Sequence, residues 1–190
     1  MPPVKVIYYY RLWQNHFEDF DREGLVSEWH NRLPTLEELD EKTRPYKDGN
    51  GTLLVIDDWM TELNDDIVTL FTTLCHANRA NTILLTQNAF SKTKGFRDIS
   101  LSATYMAYFR NPRDQSQIVH LAKQVSPHDT RFLEEVYRSC TSRPYSYLLI
   151  DFHQKCPPVL KFRSHMFPNE GMMRCYQPKT CSDSGRRRRK

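Results

Sequence analysis

The run Thr52-Leu53-Leu54-Val55-Ile56-Asp57-Asp58 constrains this chain more than any other segment. Four aliphatic residues in succession predict a strand buried on both faces, the kind that belongs to a parallel sheet covered by helices. Two acids follow where that strand must leave the core. Ligands of open parallel α/β sheets collect beyond the carboxyl ends of the strands. Paired carboxylates there suit magnesium and a water molecule aimed at a phosphate. Turn acids after a core strand give the same pattern, so the neighbouring elements have to decide.

Upstream, residues 4–10 form a β-rich run, with Val4, Val6 and Ile7 ahead of three tyrosines that read as strand packing. Leu12, Trp13, Phe17 and Phe20 predict a short helix over residues 12–20. Thr35 caps a second helix, with Glu38 three residues later. Residues 47–51 (Lys-Asp-Gly-Asn-Gly) form a loop by composition.

Downstream, Ile67, Leu70, Phe71, Leu74 and Cys75 repeat at helical spacing. Thr82-Ile83-Leu84-Leu85-Thr86 is the next buried strand, ending in Gln87 and Asn88. Strand, helix and strand in that order predict a right-handed parallel crossover. Residues 89–95 are a polar, basic loop. A strand over residues 103–109 runs into Arg110-Asn111-Pro112-Arg113-Asp114. Two helices follow, one carrying Ile118, Leu121, Ala122 and Val125. The other is capped by Ser126 with Pro127 at its first position, and buries Phe132, Leu133 and Val136. Residues 145–152 are the last core strand, and order weakens beyond Pro157 and Pro158. The expected architecture is α/β: one mostly parallel sheet flanked by helices over residues 1–155, then an irregular tail over 156–190.

The 190 residues fit one domain, and 39% hydrophobic content suffices for a core. No run approaches bilayer length and the first residues are not a signal peptide, so an intracellular protein, cytoplasmic or nuclear, is expected. Five of the 27 Lys and Arg residues stand at 186–190, leaving 22 to balance 23 acids. Basicity is therefore a terminal tag. Arg186, Arg187, Arg188, Arg189 and Lys190 are candidates for nucleic-acid phosphates or a nuclear import signal, against a solvated tail with no partner. Five cysteines, an odd number, point to free thiols in a reducing compartment. Cys156, His165, Cys175 and Cys181 lack the compact spacing of a zinc site.

A nucleotide-hydrolysing site needs a phosphate cradle, a magnesium ligand, a residue that polarises water and a γ-phosphate sensor. Asp57 and Asp58 supply a magnesium ligand and a general base. Gln87 stands where an amide could touch both water and phosphate. Arg79, just before the second buried strand, could reach across a subunit interface as an arginine finger. Helix-terminal charge for Arg79 and loop hydrogen bonding for Gln87 are the structural alternatives.

The order Leu-Leu-Val-Ile-Asp-Asp-Trp-Met, Arg79, then Ile-Leu-Leu-Thr-Gln-Asn resembles the FtsK/HerA superfamily of DNA-pumping ATPases. Ile99-Ser-Leu-Ser-Ala-Thr-Tyr105, Phe109-Arg-Asn-Pro-Arg-Asp-Gln-Ser-Gln-Ile118 and Arg143-Pro-Tyr-Ser-Tyr-Leu-Leu-Ile-Asp151 narrow this. Together they are similar to the poxvirus-type genome-packaging ATPases of adintoviruses and Maverick/Polinton transposons, over residues 4–152. The resemblance implies a P-loop NTPase fold, with Asp57 as Walker B magnesium ligand and Asp58 as catalytic carboxylate. It also implies Gln87 as the sensor and Arg79 as the finger. ATP and magnesium are the implied cofactors; duplex DNA, a homo-oligomeric ring and capsid proteins are the implied partners, with a virion association.

The phosphate cradle departs from that pattern. A Gly-x-x-x-x-Gly-Lys-Ser/Thr loop is required, yet none of the six glycines is followed by Lys. The chain is therefore expected to start after the family's phosphate-loop strand and helix, and to hydrolyse ATP negligibly alone. Two functions fit: a partial or degenerate packaging ATPase, or a non-enzymatic nucleic-acid or protein interaction module using the basic tail.

Overall fold

The computed structural model describes residues 5–44, 51–78, 80–88, 95–113 and 116–178. The loops expected at 47–51 and 89–95 lie mostly outside the described residues. The chain divides into two compact units, 1–103 and 104–190.

The first unit is a parallel sheet with helices on both faces. Its strands are β1 (Lys5–Tyr10), β2 (Glu28–His30), β3 (Thr52–Asp57) and β4 (Asn81–Leu85), in the order β2-β1-β3-β4. Every pairing is parallel, and Tyr8 lies opposite Val55, which lies opposite Ile83. One face, with Ile7, Tyr9, Leu54 and Ile56, packs on Leu39 of α2 (Leu36–Thr43) and on Ile67, Leu70 and Leu74. Phe96 and Ile99 of α5 (Phe96–Ser102) complete that core. The other face, with Tyr8 and Val55, packs on Phe17 of α1 (Phe17–Arg22) and on Trp29. Helix α1 starts five residues later than the apolar pattern predicts: Leu12 stays exposed, and Trp13, partly exposed, lays its ring against Tyr10, Phe17 and Trp29 from outside the helix.

Local signals fix the helix starts. Thr35 Oγ1 accepts from the Glu38 N–H at 3.3 Å, as the sequence predicts. Asn64 Oδ1 accepts from the Ile67 N–H at 3.1 Å and opens α3 (Asp65–Thr69). A π-helical turn (Leu70–Leu74) then leads into α4 (Cys75–Asn78). The apolar stripe read at helical spacing is therefore real, but its helix is widened in the middle.

The second unit corrects the single-sheet expectation. Strands β5 (Tyr105–Phe109), β6 (Tyr147–Asp151), β7 (Phe162–Ser164) and β8 (Arg174–Tyr176) form a separate antiparallel sheet in that order. Two helices, α6 (Ser116–Val125) and α7 (Thr130–Cys140), join β5 to β6. One crossover helix returns a chain to the start of its strand; two passes leave it at the far end, so β6 runs back. Burial periodicity carries no information on that direction. Helix α7 begins at Thr130, with Asp129 and not Ser126 as cap: Asp129 Oδ1 accepts from Phe132 N–H at 3.1 Å. Strands β7 and β8 fall where an irregular tail is expected after residue 155. Three-residue strands are too short to show a period, and an ion pair between Arg163 and Asp151 (2.7 Å) ties β7 to β6.

Candidate functional site

Parallel pairing brings the carboxyl ends of β1, β3 and β4 to one edge, where Tyr10, Asp57 and Leu85 lie in register. Asp57 shares a sheet face with Tyr8, two positions back on the neighbouring strand. The Tyr8 hydroxyl donates to Asp57 Oδ2 at 3.0 Å. Burial pushes the Asp57 carboxyl above its ordinary value, and the charge of Asp58 adds to this. The Tyr8 hydrogen bond and His16 act in the opposite direction. Burial likewise raises the Tyr8 phenol, which stays protonated as the donor.

Asp58 turns the chain out of the strand with φ 60°, a left-handed conformation that Asp tolerates better than most residues. Two bonds to the neighbouring strand's end hold it there. Its N–H donates to the Leu85 carbonyl (3.4 Å), and its Oδ1 accepts from Gln87 Nε2 (3.1 Å). The Asn88 N–H donates to Thr86 Oγ1 at 3.3 Å, shaping the turn that presents Gln87.

Arg11, first residue past β1, closes over the turn behind the acids. It donates to Thr61 Oγ1 (3.0 Å), pairs with Glu62 (2.7 Å) and lies 5.9 Å from the centre of a Trp59 ring. A guanidinium against an indole face is a favourable cation–π arrangement.

The structure thus brings together Asp57, Asp58 and Gln87, three of the residues singled out in the sequence. Arg79 lies outside the described residues. Asn81, two positions on, pairs with Leu53 near the amino end of β3, the end opposite Asp57. Residues 186–190 also lie outside the described residues, and Arg110 and Arg113 belong to the second unit. Sequence reasoning missed Tyr8, Arg11 and His16. Only the strand register, with Tyr10 opposite Asp57, could have signalled Tyr8.

Magnesium takes hard oxygen ligands, commonly one or two carboxylates with phosphates and water completing the shell. Asp57 and Asp58 meet that chemistry, and a half-buried carboxylate whose ionisation is disfavoured gains from a cation beside it. Among the described residues no group of three or more His, Cys, Asp or Glu side chains gathers for a metal. The pair offers hard carboxylate oxygens of the kind magnesium takes, with Asp57 Oδ2 engaged by Tyr8 and Asp58 Oδ1 by Gln87.

No helix among the described residues is long and apolar enough to cross a membrane. Comparison with protein-family models, with curated proteins and with solved structures finds no match.

Proposed function

We propose that the carboxyl edge of the parallel sheet is the water-activating half of a nucleoside triphosphate site, of the type that drives DNA translocation in packaging ATPases. On this reading the first unit is a P-loop NTPase-like sheet, with β3 the Walker B strand and β4 the sensor strand. The supporting observation is the Asp58–Gln87 hydrogen bond, which couples the ends of adjacent parallel strands at 3.1 Å beside Asp57.

The chemistry follows from these groups. Asp57 would hold magnesium, with Tyr8 fixing its other oxygen. When bound, the metal would neutralise phosphate oxygens and leave the nucleophile to the protein. Asp58 takes the proton of the attacking water. Gln87, its Nε2 committed to Asp58, would orient that water through its amide oxygen. Phosphates bound nearby would compete for the Gln87 amide, which links nucleotide state to β4. Because no glycine is followed by Lys, this chain alone is read as holding only half the site, with negligible turnover. Duplex DNA, a homo-oligomeric ring and capsid proteins remain the proposed setting.

Two measurements test the reading. Mn²⁺, a paramagnetic stand-in for magnesium, is expected to broaden the NMR signals of Asp57, Asp58 and Gln87, and to lose that effect in Asp57→Asn. Broadening elsewhere only would overturn the site. Phosphate release faster than roughly one per second, abolished by Asp58→Asn, would show a complete enzyme and overturn the half-site.

A further inference from the structure

Strand β4 closes one edge of the parallel sheet, and among the described residues it pairs only with β3. The sequence predicts Ile83, Leu84 and Leu85 as a fully buried run. Instead Ile83 and Leu85 are 43% and 42% exposed. They lie on the face of Tyr8 and Val55, where Phe17 of α1 buries those two residues in a cluster that includes neither Ile83 nor Leu85. An open edge of this kind is a template for another strand. Native edges are usually blunted by charge, proline or brevity. At the opposite edge β2 is three residues long, and its Glu28 is engaged by lysines. Residues 80–88, Ala-Asn-Thr-Ile-Leu-Leu-Thr-Gln-Asn, contain neither a charge nor a proline.

The edge also reads as its own complement. Antiparallel pairing centred on Leu84 sets Ile83 opposite Leu85, Thr82 opposite Thr86 and Asn81 opposite Gln87. Apolar faces apolar, hydroxyl faces hydroxyl and amide faces amide, the pairs that stabilise cross-strand contacts. The registers one residue away on either side, which also keep each residue on its own face, set Thr82 against Leu84 and Asn81 against Leu85 when centred on Ile83, or Leu84 against Thr86 and Ile83 against Gln87 when centred on Leu85. Polar then meets apolar at every flanking position.

We propose that two copies of this chain associate through β4, antiparallel about Leu84, joining their parallel sheets into one. The contact is isologous, the commonest symmetry for a homodimer. On the Tyr8 face, Ile83 and Leu85 of each copy meet Leu85 and Ile83 of the other, covering the apolar side chains left open in one copy. The partner's Asn81 stands beside Gln87, so the contact reaches the residue that holds Asp58. Occupancy of the acidic edge and dimerisation are therefore coupled through Gln87.

Sedimentation velocity of the full chain across the micromolar range tests this, with hydrogen exchange over residues 80–88. Dimer is expected, with exchange slowing as concentration rises. Ile83→Lys and Leu85→Glu each place a charge on an already exposed position, so both variants should keep the wild-type circular dichroism. Each is expected to weaken association by about tenfold or more. Combining them sets ammonium against carboxylate twice across the Leu84-centred register and restores the dimer in a salt-sensitive way. Rescue is not expected in the Ile83-centred register, which sets the two ammonium groups against each other. A wild type that stays monomeric with fast-exchanging β4 amides, which would leave the edge to a foreign strand, overturns the proposal. So does a double variant no tighter than the singles. Neither result depends on the Mn²⁺ and ATP measurements.

Discussion

The Tyr8 hydroxyl donates to Asp57 Oδ2 at 3.0 Å across two parallel strands, on a sheet face otherwise filled by Phe17, Val55 and Trp29. This places a carboxylate where burial resists its charge. The fold therefore favours the protonated form, and the direction of the pH effect follows. A carboxyl held above its ordinary value stabilises the fold fully below the unfolded-state pKa, and that contribution is lost as pH rises through the raised value. At neutral pH Asp57 is a cost to stability. Asp57→Asn should raise the melting temperature at pH 7, and the gain should shrink as pH falls through the carboxylate range. Tyr8→Phe should do the reverse, costing about 1 kcal/mol at pH 7. Thermal melts of both variants between pH 3 and pH 8 check the pair.

Glu28 carries the opposite dependence. Hydrogen bonds from Lys42 first, then Lys5 and His30, hold its carboxylate down at about 2, although burial works against them. Such a group stabilises the fold above its ordinary value of 4.5 and loses that contribution as pH falls toward 2. Glu28→Gln is expected to lower the melting temperature at pH 7 and to converge on wild type near pH 2. The cluster ties β1, β2 and α2 together, so slowed exchange in β2 should be lost in the same variant. Equal melting shifts at pH 7 and pH 2 would show that packing and not ionisation is responsible.

Much of the first unit was legible because its signals are local and redundant. The Leu53–Ile56 run, the Thr35 cap and the Ile67–Leu74 stripe each specify an element, and parallel β3–β4 pairing follows from their order. Asp57, Asp58 and Gln87 were legible for the same reason: a parallel sheet puts the residues after its strands on one edge. What escaped was non-local. The exposure of Ile83 depends on what lies over β4, which five residues of sequence do not encode. The antiparallel turn of β6 depends on two helices in its connection, not on the pattern inside the strand. Tyr8 reads as a core aromatic, and it is one; its hydroxyl reaches Asp57 only because the register is Tyr10 against Asp57.

Gly95 holds the start of α5 at φ +83°, and a Cβ placed there would stand 2.3 Å from Val68 Cγ2. Val is stiff at χ1, so the methyl cannot swing aside cheaply. Alanine at this position adds left-handed strain to a steric clash in the core that joins α3 to α5. Gly95→Ala should destabilise by about 1–3 kcal/mol, seen as a lower urea midpoint with an unchanged slope. Gly24, also at positive φ, has open space around its Cβ position. Gly24→Ala carries only the backbone term and should cost clearly less. Equal losses at the two sites would remove the Val68 contact as the cause.

The basic tail makes a separate prediction about DNA. Outside residues 186–190 the chain holds 22 Lys and Arg against 23 Asp and Glu, so its summed charge offers duplex DNA no attraction. Five terminal cations can displace at most about five counterions, which gives a salt slope no steeper than about −4.5 for log K against log salt. Deleting residues 186–190 should remove most of that slope along with the affinity, measured by fluorescence anisotropy on duplex DNA from 50 to 300 mM salt, roughly the range over which such binding collapses. If all affinity goes, contact with DNA belongs to the tail, which favours an interaction module over a translocating sheet. If a truncated chain keeps its affinity and slope, a basic face exists on the folded units, and Arg110 and Arg113 in the Asn-Pro-Arg block become the first positions to neutralise.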